Sequence, residues 1–387
     1  MKPKLLLCLA LVLCGVFSRC VSGVRADDLA TNAEPRYLDK SLSEWIPLAM
    51  YLGGDIPFQR DPAAYKAVLE IGANALPWLL QWIRSEKPET AELGVEGFEQ
   101  LGQIAEPAIP ELIQVINDWP SSSAWRNAIP ALASIRDSNS VPYAAPFLLS
   151  AAANATAPAA FRLQAAHSSL IGGAETEAVI RVFVLLLKDK DWQVAANAAD
   201  ELGRCYLEPL VVVPALADCL ASRTNAPAPS DAGKAKDGPP NWRGDVVVRY
   251  SAVQALAYLS DIYYAGSRRY PQVVPAYLPQ IREAMRAAAP ALVQALSDED
   301  MRVAMNAARA LGGGAVEPNL AVPALIKSLD HPQRDVQRSA AAALGNLGQA
   351  AQSAVPALTK IAQADPHGYV GFFAETALAK IGPQAKP

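Results

Sequence analysis

The stretch Ala321–Gly348, AVPALIKSLDHPQRDVQRSAAAALGNLG, holds the two patterns that decide the fold. Its second half places Val336, Ala340 and Leu344 at i, i+4 and i+8, steps that return to nearly the same side of a helix at 3.6 residues per turn. These residues form a narrow apolar stripe of mostly small side chains. Its first half opens on Val322-Pro323-Ala324-Leu325. Proline suits the first turn of a helix, because the N–H it lacks would have had no intrahelical acceptor there. The stretch therefore reads as one helix, a short turn and a second helix.

Both patterns recur. The stripe fits Val194–Leu202, Val248–Leu256, Val303–Leu311 and Val370–Leu378 in one register, with Ala198, Ala252, Ala307 and Ala374 at its centre. Proline marks stand at Pro77, Pro110, Pro214, Pro290 and Pro356, and the intervals 77–110, 290–323 and 323–356 are each 33 residues. Gly72, Gly102, Gly203, Gly312, Gly345 and Gly382 are expected to end the helices that precede them. A two-helix unit of about 33 to 36 residues thus runs from near residue 60 to 382. The register blurs over 121–175, where Pro130 falls inside an expected helix.

The composite Val-Pro-Ala-Leu…Leu-x-Asp…Val-x-x-x-Ala-x-x-Ala-Leu-Gly resembles the HEAT repeat, including its bacterial variety related to phycobilin-lyase-like repeats. The resemblance is strong over 290–382 and 178–222. It implies an all-α fold, a right-handed α-solenoid of helical hairpins of the HEAT/armadillo type, in which each hairpin buries its stripe only against its neighbours. Leu42–Leu52 would cap that array at one end and Val370–Ile381 at the other. The organisation expected is a signal peptide at 1–26, a linker and capping helix at 27–60, the repeat array at 61–382 and a tail at 383–387.

Composition agrees with helix. Of 387 residues, 51% are hydrophobic and only 7% aromatic, short of the aromatic and β-branched content that sheets favour. The net charge is −4, and because residues 1–26 hold four basic groups and no acid, residues 27–387 carry −8. A mildly acidic chain of this kind does not fit nucleic-acid backbone binding, which runs on clustered positive charge.

The first residues, Met1-Lys2-Pro3-Lys4, precede an apolar run Leu5–Phe17 and a polar stretch ending Val24-Arg25-Ala26. This is the three-part pattern of an export signal cleaved after Ala26. Thirteen apolar residues fall short of the roughly 20 a spanning helix needs, so no membrane segment is expected after cleavage. The expected destination is the periplasm, with the extracellular space as the alternative. Cys14 follows Leu13 and Cys20 follows Arg19, neither of which suits lipid attachment. The two remaining cysteines, Cys205 and Cys219, are expected to lie about 15 Å apart on successive helices. A disulfide tolerates a Cα separation of roughly 7 Å, so no bridge is expected.

Two consecutive units run long: the closing leucines Leu202, Leu256 and Leu311 are 54 and 55 residues apart, against 33 and 34 for the later pairs. The first excess, 222–245, is rich in proline and glycine and reads as a disordered loop that Trp242 would pin to the body. The second, 258–288, holds five of the 12 tyrosines beside Arg268 and Arg269. Tyrosine and arginine combine large contact area with hydrogen bonding. Tyr263, Tyr264, Arg268, Arg269 and Tyr270 are therefore the candidate partner-binding residues. The competing expectation is that these rings only seal an extra helix, Val273–Arg286, onto the stack.

Catalytic groups are scarce. His167, His331 and His367 lack both the His-Glu pairs of di-iron HEAT-like proteins and a His-x-x-x-His spacing, so no metal, cofactor or catalytic residue is expected. Gly312-Gly313-Gly314 reads as a helix-ending turn, and Asp189/Asp191, Asp298/Asp300 and Asp330/Asp335 as helix caps. The expected function is a non-catalytic protein–protein interaction scaffold. The alternatives are a cofactor- or chromophore-handling enzyme related to bilin-lyase-like HEAT proteins and a structural component of a cell-envelope assembly.

Overall fold

The computed structural model describes residues 33–49, 61–135, 141–171, 176–204, 208–224, 244–269, 277–366 and 368–382. The leader, most of the 222–245 insertion with Trp242, Cys205, Tyr270 and the tail lie outside them. The chain packs as two units, one of residues up to 151 with 167–174 and one of 152–166 with 175 onward.

In the first unit, a hairpin of β1 (Arg36–Tyr37) and β2 (Lys40–Ser41) precedes α1 (Leu42–Ala49). The sequence reading did not anticipate this hairpin, whose turn holds Leu38 in the left-handed region at φ 53°. Ser41 and Glu44 close the N-terminus of α1, the Ser41 N–H donating to Glu44 Oε2 at 2.7 Å, half of a capping box. Helices α2 (Pro62–Ile71), α3 (Leu76–Ile83), α4 (Pro88–Leu101), α5 (Ile109–Asn117), α6 (Trp125–Ser134) and α7 (Val141–Ala152) follow. The expected capping helix is α1: Leu42, Ile46 and Ala49 are buried, and the buried Gln100 of α4 donates Nε2 to the Ile46 carbonyl at 3.1 Å.

Helix α8 (Ala159–Ile171) is shared between the units. The second unit continues with α9 (Thr176–Leu186), α10 (Trp192–Arg204), α11 (Pro209–Thr224), α12 (Gly244–Arg269), α13 (Leu278–Ala295), α14 (Met301–Gly312), α15 (Pro318–Ser328), α16 (Arg334–Leu347), α17 (Val355–Ala364) and α18 (Tyr369–Ile381). Helices α10, α12, α14, α16 and α18 pack each on the next as one layer, and α9, α11, α13 and α15 pack in turn as a second. The stripe drives this arrangement: Val, Ala and Leu are buried together in α10, α12, α14 and α16.

Three expectations about helix ends need correction. Pro77, Pro110 and Pro356 do open α3, α5 and α17, but Pro214, Pro290 and Pro323 lie inside α11, α13 and α15. A second proline at Pro209 and Pro318, five residues earlier, already supplies the fixed φ of a first turn there. Alanine occupies the corresponding position before α17, Ala351 leaves helical geometry, and the helix begins at Val355–Pro356.

Gly203 and Gly345 are likewise not caps but lie within α10 and α16. Counting from the stripe valine, Gly203, Gly312 and Gly345 share position +9, and each faces the +7 alanine of the next layer helix. A Cβ built on Gly203 would sit 2.6 Å from Ala255 Cβ, one on Gly312 2.6 Å from Ala343 Cβ, and one on Gly345 3.1 Å from Ala377 Cβ. In α12 the +9 residue is Ala257, and the close approach moves to Ser260, whose hydroxyl donates to the Ala310 carbonyl at 2.7 Å beside Gly313.

The third correction concerns the second insertion. α12 runs on to Arg269, and Leu278–Arg286, the described part of the expected extra helix, belongs to α13, which continues to Ala295. Where the first insertion returns, Gly244 lies against Trp192; the contact expected of Trp242 lies outside the described residues.

The aspartate pairs do more than cap. Asp191 and Asp300 accept the N–H of Gln193 and Arg302 at 2.9 Å each, as expected. Their partners, at position −5, reach back to an arginine of an earlier helix: Asp189 to Arg162 at 3.1 Å and Asp298 to Arg249 at 2.8 and 3.0 Å. Asp245 completes the second cluster, 2.7 Å from Arg249. Burial works against charge on Arg249, yet the Asp298 and Asp245 carboxylates hold its guanidinium above the ordinary value. The third pair departs from the expectation: α16 is N-capped by Gln333 without a side-chain bond, and His331 Nδ1 accepts the Gln333 N–H at 3.1 Å.

Two outcomes follow for stability. Alanine in place of helical glycine ordinarily stabilises by about 1 kcal/mol. At Gly312 the sign reverses, and Gly312→Ala lowers unfolding free energy in urea by about 1–3 kcal/mol, the cost of overpacking. Arg249→Met strands two buried carboxylates and costs about 3–5 kcal/mol, of which Asp298→Leu in the same chain restores part.

Candidate functional site

In α14, α16 and α18 positions −1, +2 and +3 stay unburied, as does +2 in α12, whereas Ala196 at +2 of α10 and Ser251 at +3 of α12 are buried. Four successive helices carry there Tyr250 (α12), Arg302 and Met305 (α14), Arg338 (α16), and Tyr369, Phe372 and Phe373 (α18), none of them buried. The side chains stack in two pairs of helices, α12 with α14 and α16 with α18. The Arg302 guanidinium lies 5.6 Å from the Tyr250 ring centre, and that of Arg338 lies 5.3 Å from Tyr369 and 5.7 Å from Phe373. Phe373 meets Tyr369 and Phe372 edge-on, each at 5.6 Å. Tyr369 and Phe372 are 53% and 63% exposed, unusual for large rings and a mark of a surface that contacts something else.

A carboxylate holds Arg302 in place and a phenol oxygen holds Arg338. Arg302 makes a two-armed contact with Asp300 at 2.9 and 2.7 Å, and Arg338 donates to Tyr369 Oη at 2.8 Å. Burial raises the Asp300 pKa, but the Arg302 side chain and two backbone N–H groups outweigh it, so the carboxyl is held below the usual value and stays ionised. Farther along the same helices a second, sparser row repeats the chemistry: Arg309 lies 5.3 Å from the Tyr258 ring and pairs with Asp261.

The residues singled out from the sequence fall elsewhere. Tyr263, Tyr264, Arg268 and Arg269 continue α12 beyond the length its neighbours have, their side chains lie outside the described ones, and Tyr270 does so altogether. The structure therefore places four of the five on one helix and does not show whether they meet. Asn197 and Asn306 donate to the carbonyls of Gln193 and Arg302 in their own helices, at 2.8 and 2.9 Å. Cys219 is buried with Sγ 3.8 Å from the Leu187 carbonyl. Among the described residues no three His, Cys, Asp or Glu side chains group as a metal site would need, and no helix is long and apolar enough to cross a membrane.

Comparison with known proteins bears on the layer that carries this track. Residues 289–379 match the HEAT repeats family. That stretch carries HEAT repeats. The matched HEAT units run from the second half of α13 to nearly the end of α18, so they include Arg302, Arg338, Tyr369 and Phe372. Solved structures similar to the chain include a computationally designed armadillo repeat protein for modular peptide recognition, 20% identical over 71% of this chain and 100% of that one, with a TM-score of 0.38. An engineered protein is 22% identical over 70% and 98%, with a TM-score of 0.38. A Kap121p mutant is 14% identical over 92% of this chain but only 42% of its own length, with a TM-score of 0.48. No curated protein matches the chain.

Asp200, at position +6 of α10, offers a pH test. Burial lifts its carboxyl pKa above the ordinary value of 3.8, opposed by a hydrogen bond to Ser251 and by Arg204. A raised acid destabilises the fold above its folded pKa, and that penalty disappears as pH falls through it. Asp200→Asn is accordingly as stable as the parent or more so at pH 7, and its advantage shrinks towards zero as pH drops below the carboxylate range, read by urea unfolding at stepped pH.

Proposed function

We propose that the protein is an exported, non-catalytic scaffold that binds another protein through the arginine–aromatic track of α12, α14, α16 and α18. The observation that carries this reading is the exposure of Tyr369 and Phe372 while their neighbour Arg338 is held against the rings. Rings and arginines supply contact energy at binding surfaces because they offer large area with few bonds left to order, and here Arg302 is already ordered by Asp300 and Arg338 by stacking and its bond to Tyr369. A repeat array suits the role, since consecutive units extend one surface without a new core. Export rests on the pattern of residues 1–26, and the absence of a reactive constellation in the sequence supports a role without catalysis.

The test is capture of a stoichiometric protein partner from the envelope and medium of the exporting cell. Replacing Arg338, Tyr369 and Phe372 by Ala abolishes capture while leaving stability within about 0.5–1 kcal/mol, the range for side chains with little core contact. A parallel variant with Tyr264, Arg268 and Tyr270 replaced by Ala reads the lengthened end of α12. Loss in that variant alone moves the contact surface there, and loss in neither removes both.

A further inference from the structure

Asn154-Ala155-Thr156 is the one Asn-x-Ser/Thr triplet of the chain; every other asparagine has a residue without a hydroxyl two positions on. Its middle residue is not proline, the one residue that bars such a triplet from carrying sugar. The triplet lies in the connection between α7 and α8, with Ala155, Thr156 and Pro158 exposed and Asn154 half-buried. A glycan is bulky and needs a surface position, which connecting segments supply. We infer that Asn154 accepts an N-linked oligosaccharide from a lipid pyrophosphate donor, an inference that rests on residues 1–26 carrying the chain out of the cytoplasm.

The local geometry suits that chemistry. A carboxamide nitrogen is a weak nucleophile, because its lone pair is delocalised into the carbonyl. Asn154 Oδ1 accepts the Thr156 N–H at 3.1 Å and the Thr156 hydroxyl at 2.6 Å, an Asx turn that aims two donors at that oxygen. Donors there favour the form in which charge moves onto Oδ1 as Nδ2 gives up a proton. Among the described residues Nδ2 makes no hydrogen bond of its own. In the transfer, Nδ2 bonds to the anomeric carbon of the first sugar. The bond from that carbon to the pyrophosphate oxygen breaks, its electron pair leaves with the lipid pyrophosphate, and the Nδ2 proton passes to a base of the oligosaccharyltransferase. The turn is held from the body of the protein: the Asn154 carbonyl accepts the Ala157 N–H at 3.0 Å, and Arg162, buried and paired with Asp189, donates Nη1 to the Ala155 carbonyl at 3.3 Å. The folded chain therefore offers the acceptor in a fixed, exposed turn, without local unfolding.

Mass spectrometry of the full chain recovered from the envelope and medium of the cell that makes it tests this. The expected product is a mature chain lacking residues 1–26, with an oligosaccharide located on Asn154 by fragmentation of the peptide that contains it. Asn154→Gln and Thr156→Ala each abolish the added mass, whereas Thr156→Ser, which keeps the hydroxyl, retains it. Melting of the three variants is read alongside, because a turn with a structural role alone would shift melting and carry no sugar in the parent. An exported mature chain with bare Asn154, or sugar that persists in Thr156→Ala, overturns the inference and leaves export standing. A chain found only inside the cell, with residues 1–26 still attached and no sugar, removes both.

Discussion

Everything on the second unit's surface depends on how closely its layer helices approach. Glycine at +9 of one helix faces alanine at +7 of the next in three of the four contacts, and no larger pair would fit at those distances. Close approach of this kind gives up apolar area, since glycine and alanine bury little, and gains regular spacing, since two backbones in contact leave no latitude for a different separation. The regular stripe of Val, Ala and Leu then supplies the burial. What remains for the outward positions is freedom from packing, and the track occupies those positions.

The same constraint explains where the buried ion pairs lie. Arg162 follows Phe161 as Arg249 follows Val248, and each reaches an aspartate at −5 of a later layer helix, 27 and 49 residues on. The second interval is longer because it contains the second insertion. A small-residue interface has little shape to distinguish one register from a neighbouring one. A bidentate arginine buried against one aspartate does distinguish them, and Arg249, 3% exposed beside Asp298 at 1%, joins the two lengthened units. Holding register is the best-attested use of a buried charge, and it is needed most where added length could let helices slide.

The stripe, the two-helix unit and the fold class were legible because they repeat, so chance agreement at one place was corrected at the others. Helix starts were legible only in part: a proline marks a first turn only if no earlier proline has already opened the helix, and Pro209 and Pro318 had. Glycines misled for a related reason. Gly348, at φ 58°, ends α16, whereas Gly345, three residues earlier, serves close approach, and composition does not separate the two roles. The track was missed because its residues are spread one to three per unit over more than 120 residues, while Tyr263–Tyr270 forms a local cluster that catches the eye. The signal was available. Aligned on the stripe valine, Tyr250, Arg338 and Phe372 share position +2, and Arg302 and Tyr369 share −1.

The last helix shows how the array is bounded. Position +5 is Ala199, Val253, Ala308 and Ala341 in the earlier layer helices, all buried, but Glu375 in α18, which is exposed. At +9 the glycine gives way to Ala379, also exposed. A carboxylate where a neighbour's backbone would have to approach excludes a further helix of the same kind, because burying it unpaired would cost several kcal/mol. The polar flank of α18 therefore turns stacking off at the point where the track has its two most exposed rings.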